Sequence, residues 1–185
     1  MASLVFLDES GFCLVSPLKR SWAPKGQTPH LLTQIDHHQR INVLGALILS
    51  PAGRRIRLAT RAHRYAITGR HVLAFVQSLL RQVPGPIVLI WDNAPIHRRR
   101  LVQEDLHTHP RLQVRYFPAY APELNPAEFI WTQLNDYLAG RAPITLQSLF
   151  TLIHAGLQRL RVSPRRMWAC VAGADLRWTR WNHVR

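Results

Sequence analysis

Residues 87–91, IVLIW, constrain the fold of this chain more than any other segment. The run is apolar at every position and too short to serve as a helix. It is bounded by Pro84-Gly85-Pro86 before it and Asp92-Asn93-Ala94-Pro95 after it. A strand with one wet face alternates polar and apolar residues. Five apolar residues in succession therefore predict a central strand covered on both faces. Helices must supply that cover. Val72, Leu73, Val76, Leu79, Leu80 and Val83 recur at helical spacing before the Pro-Gly-Pro stop, and a shorter helix is predicted from about Ile96 to His107.

The remaining periodicities complete the layout. Residues 41–50, 54–60 and 112–117 read as strands. Residues 4–8 and 11–15 read as a hairpin around Glu9-Ser10, and residues 17–40 as a long loop or irregular strand pair. Asn125 is expected to cap a helix opened by Pro126 that buries Ile130, Trp131, Leu134, Tyr137 and Leu138. Thr145 and Ser163-Pro164 begin two more helices, and the tail from Asp175 carries Trp178 and Trp181 among arginines. The expected fold is a single α/β domain over residues 1–185, a mixed sheet with helices on both faces. Its core spans about 4–140, with C-terminal helices at 145–172 and a tail at 175–185. The 185 residues suffice to bury such a core.

Charge narrows the function. The chain carries 24 Lys and Arg against 10 Asp and Glu, a formal net charge of +14. All but Lys19 and Lys25 of those basic residues are Arg, whose fork suits bidentate phosphate contacts. Such an excess implies a polyanionic partner, DNA or RNA. Two cysteines without CxxC spacing fit a reducing, cytoplasmic setting, and no apolar run reaches transmembrane length. With acids so scarce, three stand out: Asp8 in LVFLDESGF, Asp92 in IVLIWDNAPIH and Glu128 in APELNPAEFIW. Each has an ordinary reading. Asp8 fits a hairpin turn, Asp92 a turn at the end of a buried strand, and Glu128 the third position of a capped helix. Gathered at one sheet edge, the three would hold divalent cations against phosphate oxygens. His97 heads a basic run, Arg98-Arg99-Arg100, and with Arg54, Arg55 and Arg57 these are the candidate phosphate contacts. Trp91 and Trp131 are expected in the core.

The strings FLDESGF, SWAPKGQTP, WDNAPIH and FPAYAPELNPAEFIW, in that order, resemble the catalytic domain of IS630-type transposases of the IS630/Tc1/mariner superfamily. The resemblance covers roughly residues 4–140 and implies a ribonuclease H-like fold. It further implies that Asp8, Asp92 and Glu128 bind two Mg²⁺ or Mn²⁺ ions for metal-dependent DNA cleavage and strand transfer. DNA, both transposon ends and target, would be the partner of a homodimer in a bacterial, nucleoid-associated setting. Family members usually carry an N-terminal helix-turn-helix that reads the element's ends, whereas this chain starts at the first catalytic strand. A separate helix-turn-helix partner or a frameshift-fused half is the expected source of that reading. A Lys that often follows the helix tryptophan by four positions is Asn135 here. Two alternatives stand beside this reading: a non-catalytic DNA-binding remnant, and a ribonuclease H-like nuclease acting on RNA–DNA hybrids or DNA ends.

Overall fold

The structure, a computed structural model, describes residues 1–14, 24–27 and 39–176. Five strands form one mixed sheet: β1 (Ser3–Cys13), β2 (Arg40–Leu49), β3 (Ile56–His63), β4 (Ile87–Trp91) and β5 (Leu112–Tyr116), in the spatial order β3-β2-β1-β4-β5. β1 is antiparallel to β2 and β2 to β3, whereas β4 runs parallel to both β1 and β5. Helices α1 (Gly69–Gln82) and α2 (Arg100–His107) cover one face; α3 (Glu128–Leu138), α4 (Leu146–Arg161) and α5 (Pro164–Gly173) cover the other.

Strand alternation sends successive side chains into two separate cores. Val5, Leu7, Leu44, Leu89 and Trp91 pack against Val72, Val76, Leu79, Val102 and Leu106 of α1 and α2. Phe6, Phe12, Val43 and Leu47 pack against Ile130, Trp131, Leu134, Ile153 and Met167 of α3, α4 and α5. Each such buried side chain stabilises the fold by about 1.5–3 kcal/mol. The two-sided cover is what the IVLIW run required: β4 has strands on both sides, and Trp91 at its end is fully buried.

Three boundaries differ from the sequence expectation. No hairpin interrupts residues 4–13: β1 is one continuous strand, paired to β2 from Leu4–Leu49 through Cys13–Arg40. Asp, Glu, Ser and Gly suit a turn locally, but the antiparallel ladder with β2 runs through this whole stretch and overrides that propensity. α2 starts at Arg100 rather than near Ile96, because Ala94–His97 closes a turn in which the His97 N–H donates to the Ala94 carbonyl at 2.9 Å. Asn125 caps a turn ahead of α3, its side chain accepting from the Ala127 N–H at 3.1 Å, so Glu128 is the first helical residue and not the third. The Thr145 and Ser163 starts are as expected, Thr145 exchanging hydrogen bonds with Ser148 and Ser163 accepting from the Arg166 N–H. Most of the 17–40 segment and the tail tryptophans Trp178 and Trp181 lie outside the described residues.

Candidate active site

Asp8 owes its place to a change of partners along β1. The parallel ladder with β4 ends at Phe6–Ile90, while the antiparallel ladder with β2 continues, so Asp8 sits just past the point where β4 falls away. Its side chain shares the α3 face with Phe6 and Phe12. Directly across the ladder is Gly45. With no side chain there, the Trp131 indole comes close against β2: a Cβ on Gly45 would meet Trp131 Cη2 at 2.6 Å. From that position the Trp131 Nε1–H donates to Asp8 Oδ2 at 2.8 Å. Asp8 is only 6% exposed. Burial, then the negative charge of Glu128, push its pKa up to about 8, against the opposing pull of the Trp131 hydrogen bond.

Asp92 follows the last residue of β4, where strand ends collect sites in sheets with helical crossovers. Its Oδ1 accepts from the Ala94 N–H at 3.0 Å and lies 2.9 Å from His97 Nδ1. The His97 hydrogen bond, against burial, holds the Asp92 pKa below the usual carboxylate range. Glu128 projects from the first turn of α3, three residues before Trp131 and so on the same helical face. Its pKa is raised, first by burial and then by the charge of Asp92. The Pro122–Leu124 single turn and the buried Asn125 fix the approach to this helix.

These three acids, from a strand interior, a strand end and a helix start, line one cleft of about 500 Å³. Asn93, Arg98, the Phe117–Pro122 loop and Asn125 complete its walls. Mutual repulsion raises Asp8 through Glu128 and Glu128 through Asp92, and a cation between them would relieve it. All-oxygen donors suit Mg²⁺ or Mn²⁺. Among the described residues no three His, Cys, Asp or Glu side chains stand close enough to cage an ion unaided.

The basic candidates divide. Arg98 lines the cleft, its guanidinium donating to Asn93 Oδ1 at 3.0 Å. Arg99 and Arg100 are exposed at the start of α2, Arg100 paired with Glu104 at 2.6 Å. His97 does not reach solvent. It is fully buried between Glu9 and Asp92, so the expected phosphate contact is corrected to a contact with two carboxylates. Burial pulls its pKa down, but the hydrogen bonds to Asp92 and Glu9 outweigh this and raise it to about 10. Arg55 and Arg57 line a different pocket with Ser3, Ser50 and Gln82, and Arg54 is exposed beside them. That pocket adjoins the Ser3 end of β1. Asp8 lies five residues further on, about 17 Å at 3.3 Å per residue, so these arginines do not join the acids.

Trp131 lies in the core as expected, and its Nε1–H also serves the site, which its spacing from Glu128 signals. Gly45, Glu9 and Tyr120 carry no such signal in the sequence. Tyr120 stands fully exposed on the cleft wall with a left-handed φ of 58°, between Pro118 and Pro122.

Residues 3–149 match the family described as DDE superfamily endonuclease. A protein of Shigella sonnei, "Insertion element IS630 uncharacterized 39 kDa protein", is 42% identical over 50 residues, which are 27% of this chain and 15% of that one. The fold is similar to that of a pre-cleavage Mos1 transpososome, with TM-score 0.60 and 17% identity, covering 95% of this chain and 56% of that one. It is also similar to the Mos1 strand transfer complex, with TM-score 0.58 and 18% identity, covering 95% and 55%. Against the catalytic domain of Mos1 mariner transposase alone the TM-score is 0.55 at 16% identity, covering 94% and 84%. The chain thus spans about half of the longer Mos1 chains, and its sheet is of the ribonuclease H-like kind. It belongs to the DDE superfamily endonucleases.

Proposed function

We propose that this domain is the catalytic part of an insertion-element transposase, cutting DNA and transferring the freed strand with Asp8, Asp92 and Glu128 as ligands of two Mg²⁺ or Mn²⁺ ions. The observation that carries the reading is the meeting of these three acids in one cleft, with Asp8 and Glu128 raised by burial and by one another's or Asp92's charge. Mos1 structures include paired-end complexes with Mg and with Mn, in keeping with this choice of ion. Bound there, the ions would supply Lewis-acid stabilisation of charge on the reacting phosphate and its leaving oxygen.

The chain's own residues do the positioning. Trp131 holds one oxygen of Asp8 and turns that carboxylate toward the cleft. His97 and the Ala94 N–H hold Oδ1 of Asp92, leaving Oδ2 without a protein partner among the described residues. Arg98 contributes positive charge at the cleft rim, where a DNA phosphate would approach, with Arg99 and Arg100 beside it. Arg54, Arg55 and Arg57 would hold backbone at a separate stretch of DNA. No side chain acts as the nucleophile; water or a DNA 3′-OH does. Action as a homodimer on DNA, end recognition by a helix-turn-helix segment or partner, and a cytoplasmic, nucleoid-associated setting belong to the same proposal. Among the described residues no helix is long and apolar enough to cross a membrane.

The test is a titration of Mg²⁺ and Mn²⁺ with end-labelled element-end DNA, followed by product analysis. Metal-dependent cleavage with joined strands is expected. Cleavage without joining would favour a plain nuclease, and DNA binding with no metal-dependent product would favour a non-catalytic remnant. Asp92→Asn should abolish the products and leave the fold intact.

A further inference from the structure

Glu9 and Asp8 are neighbours on β1, so they point to opposite faces of the sheet. Asp8 faces the cleft. Glu9 faces the α1 and α2 side, yet it also connects with the site, from below and through His97. His97 Nε2 lies 2.9 Å from Glu9 Oε1, and Nδ1 lies 2.9 Å from Asp92 Oδ1. Each ring nitrogen lies within hydrogen-bonding reach of a carboxylate oxygen, so the ring bridges Glu9 to Asp92. Its orientation is fixed. The ring stacks on Trp91 with centroids 4.1 Å apart and planes 2° from parallel, and Gln103 donates to the His97 carbonyl at 2.6 Å.

We propose that Glu9 and His97 form a buried clamp that sets which oxygen of Asp92 faces the cleft, and so governs how tightly a divalent cation is held. The inference rests on the metal-binding reading above. His97 and the Ala94 N–H together occupy Oδ1, so a cation is offered Oδ2 alone, at a fixed angle. Glu9 holds the far nitrogen of the ring, Nε2, so without it the ring would lose its outer anchor. Glu9 and His97 touch no substrate in this arrangement; they are positioning residues.

Mn²⁺ binding to the chain, followed by electron paramagnetic resonance of the free ion, reads this directly and needs no catalysis. Circular dichroism melts run beside it report folding. Glu9→Ala and His97→Ala should each remain folded and weaken Mn²⁺ roughly 10- to 100-fold, the usual cost of removing the partner that orients a metal ligand. His97→Asn is the diagnostic variant. Its amide nitrogen can replace Nδ1 as donor to Asp92 while losing the link to Glu9, so it should recover affinity relative to His97→Ala. If the His97 variants do not fold, Glu9→Ala decides, since that side chain reaches solvent at 19% exposure whereas His97 is fully buried. Folded variants with Mn²⁺ affinity within threefold of the parent, while Asp92→Asn binds weakly, would overturn the clamp alone. A parent chain that binds no Mn²⁺, or binds it as well as Asp92→Asn does, would overturn the metal reading and the clamp with it.

Discussion

Gly45→Ala should damage the acidic site from the opposite strand, without touching any acid. The added Cβ would stand 2.6 Å from Trp131 Cη2 and 3.0 Å from Cζ2. Carbon atoms pack at about 3.5–4.0 Å, so the indole must lift by about 1 Å. Phe12 lies edge-on to it at 6.0 Å, and the ring is 4% exposed, so little space is free behind it. Overpacking of this kind costs about 1–3 kcal/mol. The same lift would stretch the Trp131 Nε1 to Asp8 Oδ2 contact from 2.8 Å to well beyond hydrogen-bonding range. A bond to a charged group is worth about 1.5–3 kcal/mol, so the combined loss is about 2.5–6 kcal/mol wherever Asp8 is ionised. Urea unfolding measures the loss, and Mn²⁺ affinity at neutral pH should fall with it, because Asp8 without its donor is harder to ionise. A double-mutant cycle isolates the cause. Trp131→Phe removes both the N–H and the ring atoms that meet the new Cβ, so Gly45→Ala should cost about 1–3 kcal/mol less in that background. A Gly45→Ala protein within about 0.5 kcal/mol of the parent, or an additive cycle, would refute this account of how Asp8 is held.

Gly156→Ala is the matched control: its Cβ would meet Leu134 Cδ1 at 2.5 Å and Tyr137 Cδ1 at 2.8 Å, so urea unfolding should reveal a loss of about 1–3 kcal/mol while Mn²⁺ affinity is unchanged. Asp8 binds its proton more tightly when folded than unfolded, so its contribution to stability is greatest below about pH 4 and is lost as pH rises toward 8. Divalent cation should reverse that trend, and calorimetry in buffers of different ionisation enthalpy should detect close to one proton released per binding event at pH 7 and almost none at pH 9. DNA affinity of the chain alone should fall linearly with log salt, and Arg98→Ala should reduce the slope by about 0.9 in a fluorescence anisotropy series; an unchanged slope would remove Arg98 from the interface. Competition between element-end and random DNA should give less than about a hundredfold preference, since specific binders lie above that range and base reading needs an element set in a groove.

The sequence by itself determined the layers and singled out the three acids that line the cleft. IVLIW could be satisfied only by cover on both faces, and α1, α4 and α5 announced themselves through spacing, a Pro-Gly-Pro stop and Ser or Thr caps. Asp8, Asp92 and Glu128 were legible because ten acids in so basic a chain leave few to choose from and each lay in a distinctive string. What holds them was decided by tertiary structure. Whether Asp8-Glu9-Ser10-Gly11 turns or continues depends on a ladder with a strand more than thirty residues away, and no local signal carries that pairing. Gly45 is ordinary in sequence and matters only because α3 lays Trp131 across it. His97 reads as the head of a basic surface run; its burial follows from the neighbouring strand β1 bringing Glu9 against it. Arg54, Arg55 and Arg57 carry the right charge, yet the antiparallel direction of β3 puts them at the other end of the sheet. Local chemistry selects residue types, whereas strand direction, register and face decide which of them meet.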